Sequence, residues 1–286
     1  FTLHAIATMV FNSVAFKAVI SNGLVLDQNV NKMSKSRGNG VDPFETIETH
    51  GSDPLRWYMV TNAQPWDNLK FDINGVDEVK RKFFGTLYNT YSFFALYANV
   101  DGFTNSEPEI PIAELPEIDR WIISLLNTLI KEVDAAYSDY EPTKAGRLIQ
   151  DFVGDNLSNW HVRLNRKRLW GGEMTKDKLA AYQTLYTCLE TVAILAAPIA
   201  PFFNDRLFTD LNAVSEHNQA ESLHLADFPA YNEKLIDKQL EDQMALAQQA
   251  SSMVLTLRRK VNIKVRQPLT TIMMPVLKPA MRNSLE

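Results

Sequence analysis

From Asn74 to about Leu211 the chain repeats one pattern, and that pattern admits few folds. Val76, Val79, Phe83, Leu87, Tyr91, Phe94 and Ala98 fall at helical spacing and form one apolar stripe, ended by Asp101-Gly102. Ile118, Ile122, Leu125, Leu129, Val133 and Tyr137 form a second, stopped near Glu141-Pro142. Ala145, Leu148, Ile149, Phe152, Val153, Leu157, Trp160 and Leu164 form a third, stopped at Gly171-Gly172. A fourth covers residues 175–196 ahead of Pro198, and a shorter fifth residues 202–211. Helices that are apolar on one face and joined by short connections must bury those faces on each other, so an antiparallel bundle is expected. The proline- and acid-rich stretch 106–116 reads as a linker and 212–232 as a polar loop. Residues 234–261 read as one more long helix, and 265–276 as strand-like, broken by Pro268.

The first seventy or so residues read differently. Leu3, Ile6, Ala7 and Val10 give a helix over 2–12, and 14–20 switches to a β-like run. Helix followed by strand is half of an α/β crossover unit, which implies a parallel sheet whose other strands are missing from this chain. Asn22-Gly23 predicts a turn and Leu24-Val25-Leu26 another short strand. Asp53 as N-cap and Pro54 at the first helical position predict a helix that buries Leu55, Tyr58 and Met59 and ends before Pro65. Arg56 and Trp57 on that helix read either as packing residues at a helix–helix seam or as functional ones.

At 286 residues, with 45% hydrophobic and 22% charged side chains, the chain fits one or two soluble globular domains. A net charge of −5 excludes a generally basic nucleic-acid binder, so any RNA surface must be a local patch. The single cysteine, Cys188, lies in an apolar helical run. It forms no internal disulfide or cysteine zinc cluster, reads as a buried structural thiol, and fits a reducing cytoplasm. No unbroken apolar run reaches the roughly 18 residues of a membrane span, and no signal peptide is recognisable. The opening residues read as the middle of a helix, so the chain is expected to begin inside a domain of a longer protein.

Two stretches carry chemistry. Lys32-Met33-Ser34-Lys35-Ser36, followed by Arg37-Gly38-Asn39, sets two ammonium groups three positions apart among small hydroxyl residues. That is a mobile cationic clasp suited to a polyphosphate, with backbone N–H groups and the hydroxyls of Ser34 and Ser36 as further donors. A solvated basic turn is the alternative. Further on, Arg163, Arg166, Lys167 and Trp170 fall at i, i+3, i+4 and i+7, with Trp160 and Arg168 beside them and no acidic residue between 156 and 172. Arginines grip phosphates bidentately and indoles stack on unpaired bases. The alternative is a core Trp160 with a solvated basic helix end, which the helix dipole favours by itself. Arg258, Arg259, Lys260, Lys264 and Arg266 form a second cluster, read either as a continuation of an RNA track or as an exposed helix end.

The 32–36 loop is identical to the signature loop of class I aminoacyl-tRNA synthetases. The run from Phe16 to Leu26, the segments Val41-Asp42-Pro43-Phe44, His50-Gly51-Ser52-Asp53-Pro54-Leu55-Arg56-Trp57-Tyr58 and Trp66-Asp67-Asn68-Leu69-Lys70-Phe71-Asp72, and downstream Leu157-Ser158-Asn159-Trp160-His161-Val162-Arg163 and Ala197-Pro198-Ile199-Ala200-Pro201-Phe202-Phe203 resemble the isoleucine-specific branch of that family. The resemblance covers nearly the whole chain, and valine- and leucine-specific branches share the loop and bundle. It implies a mainly α chain: the end of a Rossmann-like catalytic domain with a stem-contact module over 1–72, a helical anticodon-binding domain over 73–235, and the start of a C-terminal junction over 236–286. It implies ATP-dependent activation of isoleucine and transfer to tRNA(Ile), by a cytoplasmic monomer without membrane contact. Lys35 is then the main phosphate contact and Lys32 its support, within an ATP-binding loop of Lys32, Met33, Ser34, Lys35 and Ser36, with Mg2+ accompanying ATP. Trp160, Arg163, Arg166, Lys167, Arg168 and Trp170 are then the tRNA-binding set. The family's His-x-Gly-His signature is absent, His4 and His50 each standing alone, so the amino-acid pocket and editing site are expected upstream of Phe1 and the fragment alone to be inactive. Any zinc of the family would also lie outside this segment. The family has a glycine near the approach to the loop where this chain has Val30. A stand-alone tRNA-binding module that keeps the loop as a relic is the competing class.

Overall fold

The computed structural model describes residues 1–215, 218 and 220–274, and among them the chain is mainly helical. Helix α1 (Thr2–Phe11) buries no residue, and Leu3, Ile6, Met9, Val10 and Phe11 are all exposed. The strand expected over 14–20 does not form. A strand needs a neighbour to take its N–H and C=O groups, and no described segment pairs with this one. The expected strand at 24–26 does form as β1 (Val25–Leu26), parallel to β2 (Leu69–Lys70), with Val25 opposite Leu69 and Leu26 opposite Lys70. Gly23 enters β1 so close to the other chain segment that a Cβ would lie 2.0 Å from the Asp67 carbonyl oxygen.

Between the strands the chain runs through a 3-10 turn (Lys35–Arg37), α2 (Pro43–His50) and α3 (Ser52–Asn62). The Asp-Pro pair that starts a helix by capping is Asp42-Pro43: Asp42 Oδ1 accepts from the N–H of Phe44 at 2.8 Å and of Glu45 at 3.3 Å. The expectation that Asp53 caps α3 is corrected. That helix starts at Ser52, directly after Gly51 at φ 93°, and the buried Asp53 instead accepts from the N–H of Phe203 at 2.6 Å. Leu55 and Tyr58 are buried as expected, whereas Met59 is exposed.

The rest is a set of packed helices. Helix α4 (Ile73–Val79), a π-helical turn (Lys80–Phe84) and α5 (Gly85–Asp101) make one rod. After α6 (Glu117–Ser138), a second rod comprises α7 (Pro142–Asp151), an 11-residue π-helix (Phe152–Val162) and α8 (Arg163–Leu169). Then follow α9 (Lys176–Ala196), α10 (Pro201–Ser215) and α11 (Lys238–Lys260). One core joins them from Trp57 to Leu240, with Trp121, Tyr182, Phe83 and Phe208 among its fully buried side chains. Helix α9 is long and apolar enough to cross a membrane by composition, and 67% of its apolar window is buried among the other helices.

The π-helix moves the predicted stripe. Each π turn takes in an extra residue, so successive side chains advance less around the axis than in an α-helix. Leu164, predicted in the core, is therefore exposed, while Val162, Asn165 and Leu169 turn inward. No strand occurs in 265–274, where Pro268 and the lack of a partner leave the backbone irregular; the last residues of that predicted strand, 275 and 276, lie outside the described residues.

Candidate functional site

The lysine loop leaves the end of β1 and is organised by Asp27. One carboxylate oxygen, Oδ1, accepts from the N–H of Asn29 at 2.9 Å and of Asn31 at 2.8 Å. The other, Oδ2, accepts from Asn39 Nδ2 at 2.8 Å. These bonds, that from Asn39 foremost, hold the Asp27 carboxyl below the usual carboxylate range. Asn39 also donates to the Lys32 carbonyl at 3.3 Å and accepts from the Ser34 N–H at 3.0 Å. Ser34 and Ser36 share a hydroxyl hydrogen bond at 3.2 Å, inside the 3-10 turn that Arg37 closes on the Ser34 carbonyl. Lys32 is exposed, so its ammonium is available to an anion. The side chain of Lys35 lies outside the described residues; its backbone opens the 3-10 turn. Val30 sits at φ 67°, a left-handed conformation that costs a β-branched residue free energy.

Met33 ties the loop to the rest of the chain. It packs on the cluster of Leu55, Tyr58, Phe71 and Val76. The Tyr58 hydroxyl donates to the Lys70 carbonyl at 3.0 Å and accepts from the Asp72 N–H at 3.0 Å, joining α3 to β2. The far side of α3 is fastened to the bundle. Arg56 donates from Nε to the Ile199 carbonyl at 2.8 Å, and Trp57 Nε1 to Gln150 at 3.2 Å. Thr143 and Arg147 donate to the carbonyls of Val60 and Thr61, at 2.6 and 2.9 Å, where the end of α3 would otherwise leave acceptors unsatisfied. Trp57 stacks on Phe83 with centroids 4.0 Å apart. Arg56 and Trp57 are thus packing residues, the first of the two readings.

In α8, Arg163, Arg166 and Lys167 are all exposed, and Arg166 lies over the Phe93 ring at 6.0 Å. Trp170 is exposed too, but it follows the last helical residue, so helical spacing does not place it with the cations. Trp160 is partly buried against the main core. Arg168 does not join the surface set. Its guanidinium grips the fully buried Asp119 bidentately at 2.9 and 2.8 Å and reaches Asp177 at 2.9 Å. His161 Nε2 meets the same Asp119 at 2.8 Å. Burial opposes the Asp119 charge, but the hydrogen bonds and charges of His161 and Arg168 outweigh it and leave its carboxyl below the usual range. In the second cluster Arg258 folds back onto the carbonyls of Lys264 and Gln267, both at 2.8 Å, leaving Arg259, Lys260, Lys264 and Arg266 exposed.

Sequence reasoning missed Asp27, Asn39 and Asp119. The Asp27-Gln28-Asn29 run carries an Asx-turn signal that points to the first. Nothing local pairs Asp119 with Arg168, 49 positions away. Among the described residues no group of three or more His, Cys, Asp or Glu side chains is placed to hold a metal ion. Cys188 is buried and free, and burial pushes its thiol pKa up.

Residues 1–72 match the family description of class I tRNA synthetases (I, L, M and V), and residues 119–273 that of the anticodon-binding domain of tRNA ligase. The chain is 71% identical over 286 residues to the isoleucine–tRNA ligase of Bacteroides fragilis, covering all of this chain and 25% of that protein. It is 64% identical to the enzyme of Cytophaga hutchinsonii, covering 26% of it, and 45% identical over 285 residues to that of Dehalococcoides mccartyi, covering 28%. The chain therefore spans about a quarter of the length of the relatives it matches. In fold it is similar to LeuRS from Agrobacterium radiobacter K84, solved as a ternary complex with tRNA and LeuAMS. That likeness has a TM-score of 0.62 at 21% identity over 82% of this chain and 27% of that one.

Proposed function

The chain belongs to the class I tRNA synthetases that carry the anticodon-binding domain of tRNA ligases, and we propose that it is the part of an isoleucine–tRNA ligase that supplies the ATP loop and grips the tRNA. On this reading residues 1–72 complete the catalytic domain, 73–235 bind the anticodon stem and loop, and 236–286 begin a junction region. The observation that carries it is the tie between loop and bundle. The lysine loop leaves the end of a parallel strand, and Met33, α3 and the bonds of Arg56, Trp57, Thr143 and Arg147 link it to the helices bearing Arg163, Arg166 and Lys167. The choice of isoleucine over valine or leucine rests on the relatives.

The reaction has two steps. The isoleucine carboxylate attacks the α-phosphorus of ATP, forming isoleucyl-adenylate and expelling pyrophosphate; a ribose hydroxyl of the terminal adenosine of tRNA(Ile) then attacks the carbonyl carbon of the adenylate, forming the aminoacyl ester and releasing AMP. Negative charge accumulates on the departing pyrophosphate, and cations positioned to meet it lower the barrier. Lys35 is assigned the principal contact and Lys32 the second, with Mg2+ accompanying the ATP. In the bundle, Arg163, Arg166 and Lys167 contact phosphates while the exposed Trp170 is offered to bases; Trp160, packed on the core, and Arg168, held by Asp119, serve by fixing the helix that carries them. Lys35→Ala in the intact ligase is expected to lower the rate of adenylate formation by about 100-fold or more, with ATP ground-state affinity nearly unchanged. Equal losses in rate and affinity would remove the transition-state role.

A further inference from the structure

Asn39 touches the signature loop and its base at three places. Its amide group donates to Asp27 Oδ2 at 2.8 Å and to the Lys32 carbonyl at 3.3 Å, while its oxygen accepts from the Ser34 N–H at 3.0 Å. Lys32 and Ser34 flank Met33, so one side chain fixes the backbone on both sides of the residue that anchors the loop, and it is itself braced on Asp27, the residue directly after strand β1. The chain doubles back to allow this: Gly38 stands at φ 66°, a left-handed conformation open to glycine at little cost, which brings Asn39 under the residues that precede it. Asp27 is the fixed end of the bridge, because its other oxygen is already held by two backbone N–H groups. The other restraints on this segment are the Met33 seat, the 3-10 turn with its Ser34–Ser36 hydroxyl bond, a bridge between Leu26 and Lys32, and the Gln28–Asp72 bond at its approach.

We infer that Asn39, braced on Asp27, is the positioning residue that sets the two lysines in register for the departing pyrophosphate. This rests on the reading of the loop as an ATP loop. Lysine is a point charge on a flexible stem, so its use in a transition state depends on where its backbone is held. Both amide hydrogens and the oxygen of the carboxyamide are engaged by Asp27, Lys32 and Ser34, so its loss is expected to act on the rate of activation and to leave ground-state ATP affinity in place. The hydrogen-bond chemistry also specifies a rescue. In the Asp27→Asn/Asn39→Asp double variant, the amide introduced at position 27 keeps an oxygen for the N–H groups of Asn29 and Asn31. Its amino group becomes the donor to the carboxylate introduced at position 39, which still accepts from Ser34 but no longer donates to the Lys32 carbonyl, so the bridge is restored and the Lys32 contact is not. Net charge is unchanged. Each single variant instead breaks the bridge: Asp27→Asn sets two amide donors against each other, and Asn39→Asp sets two carboxylates face to face.

The experiment is ATP–pyrophosphate exchange in the intact ligase for Asn39→Ala, Asp27→Asn, Asn39→Asp and the double variant, with Lys35→Ala alongside and thermal melting of each. Expected are kcat losses of about 10- to 100-fold in the single variants at nearly constant KM for ATP, the range that small misplacements of a reacting group produce. The double variant, which restores the bridge but not the Lys32 contact, is expected to recover most of the loss of the worse single variant while staying below the parent, with all melting temperatures close to it. Full kcat in Asn39→Ala, a KM rise that accounts for the loss, or a double variant no better than the worse single one overturns the inference. If Lys35→Ala depresses kcat while the Asn39 variants do not, the ATP-loop reading stands and the positioning role fails. If Lys35→Ala is silent, both fail.

Discussion

Asp119→Asn isolates the worth of the buried carboxylate that aligns α8. The side chain has no exposed surface and receives three hydrogen bonds at 2.8–2.9 Å, one from His161 and two from Arg168. Asparagine keeps the volume but removes the charge and turns an amide donor toward the guanidinium. Breaking one partner of a buried ion pair costs about 3–5 kcal/mol. Arg168 retains Asp177, whose side chain is about half exposed, so the lower end, about 3 kcal/mol, is expected. At roughly 2–4 °C per kcal/mol for chains of this size the melting temperature should fall by about 6–12 °C. Asp177→Asn, removing only the exposed partner, should cost no more than about 1 kcal/mol. The effect has a pH signature. Because the Asp119 carboxyl is depressed in the folded state, its contribution is fully present above the ordinary carboxylate value near 3.9 and is lost as pH falls through the depressed one. Urea denaturation of parent and variants across pH 3–7 reads this directly. Equal losses in the two variants, or a difference between parent and Asp119→Asn that does not shrink in acid, would refute the assignment.

Gly146→Ala should destabilise by about 1–3 kcal/mol in the same denaturation assay, because its Cβ would lie 2.6 Å from Thr61 Cγ2 and 3.1 Å from Ile199 Cδ1 where α7 meets α3; an unchanged midpoint contradicts that close approach. Val30→Gly should relieve the left-handed strain at φ 67°, slowing native-state hydrogen exchange at Asn31 by up to about fivefold, whereas faster exchange would show the valine to be unstrained. Arg56→Ala removes the donors to the carbonyls of Ile199 and Pro198, so α3 should loosen from the bundle at a cost of about 1–3 kcal/mol; proteolytic cleavage near residue 200 at the parent's rate would count against this.

The helical half was legible because its signal is local and repeated: each stripe from Val76 to Leu211 carries its own period and its own stop. The error at Leu164 has one cause, the π-helix before it, which periodicity at α-helical spacing does not register. The N-terminal part was legible in motif and only partly in structure: the helix at 2–11 and the strand at 25–26 form, the strand at 14–20 does not. The strand at 14–20 had the right residues and no neighbour to pair with, and pairing, not propensity, decides a strand. Asp53 shows a related limit. Its sequence context is that of an N-cap, yet its carboxylate serves α10, 150 positions away. The loop lysines could be named from five residues, while Asp27 and Asn39 emerged only when the backbone brought them together. Arg168 belonged to the basic run by charge and to the core by position, a distinction set by Asp119.

The central claim, that this chain carries the tRNA grip of the ligase on α8, is tested most directly by titrating tRNA(Ile) binding against salt for the parent and for the Arg163→Ala/Arg166→Ala/Lys167→Ala variant. Three phosphate contacts should contribute roughly 2–3 to the slope of log affinity against log salt. The account predicts that the variant binds more weakly and loses that much slope, while its helical content and melting temperature stay with the parent. Identical affinity and slope in the two proteins would contradict it.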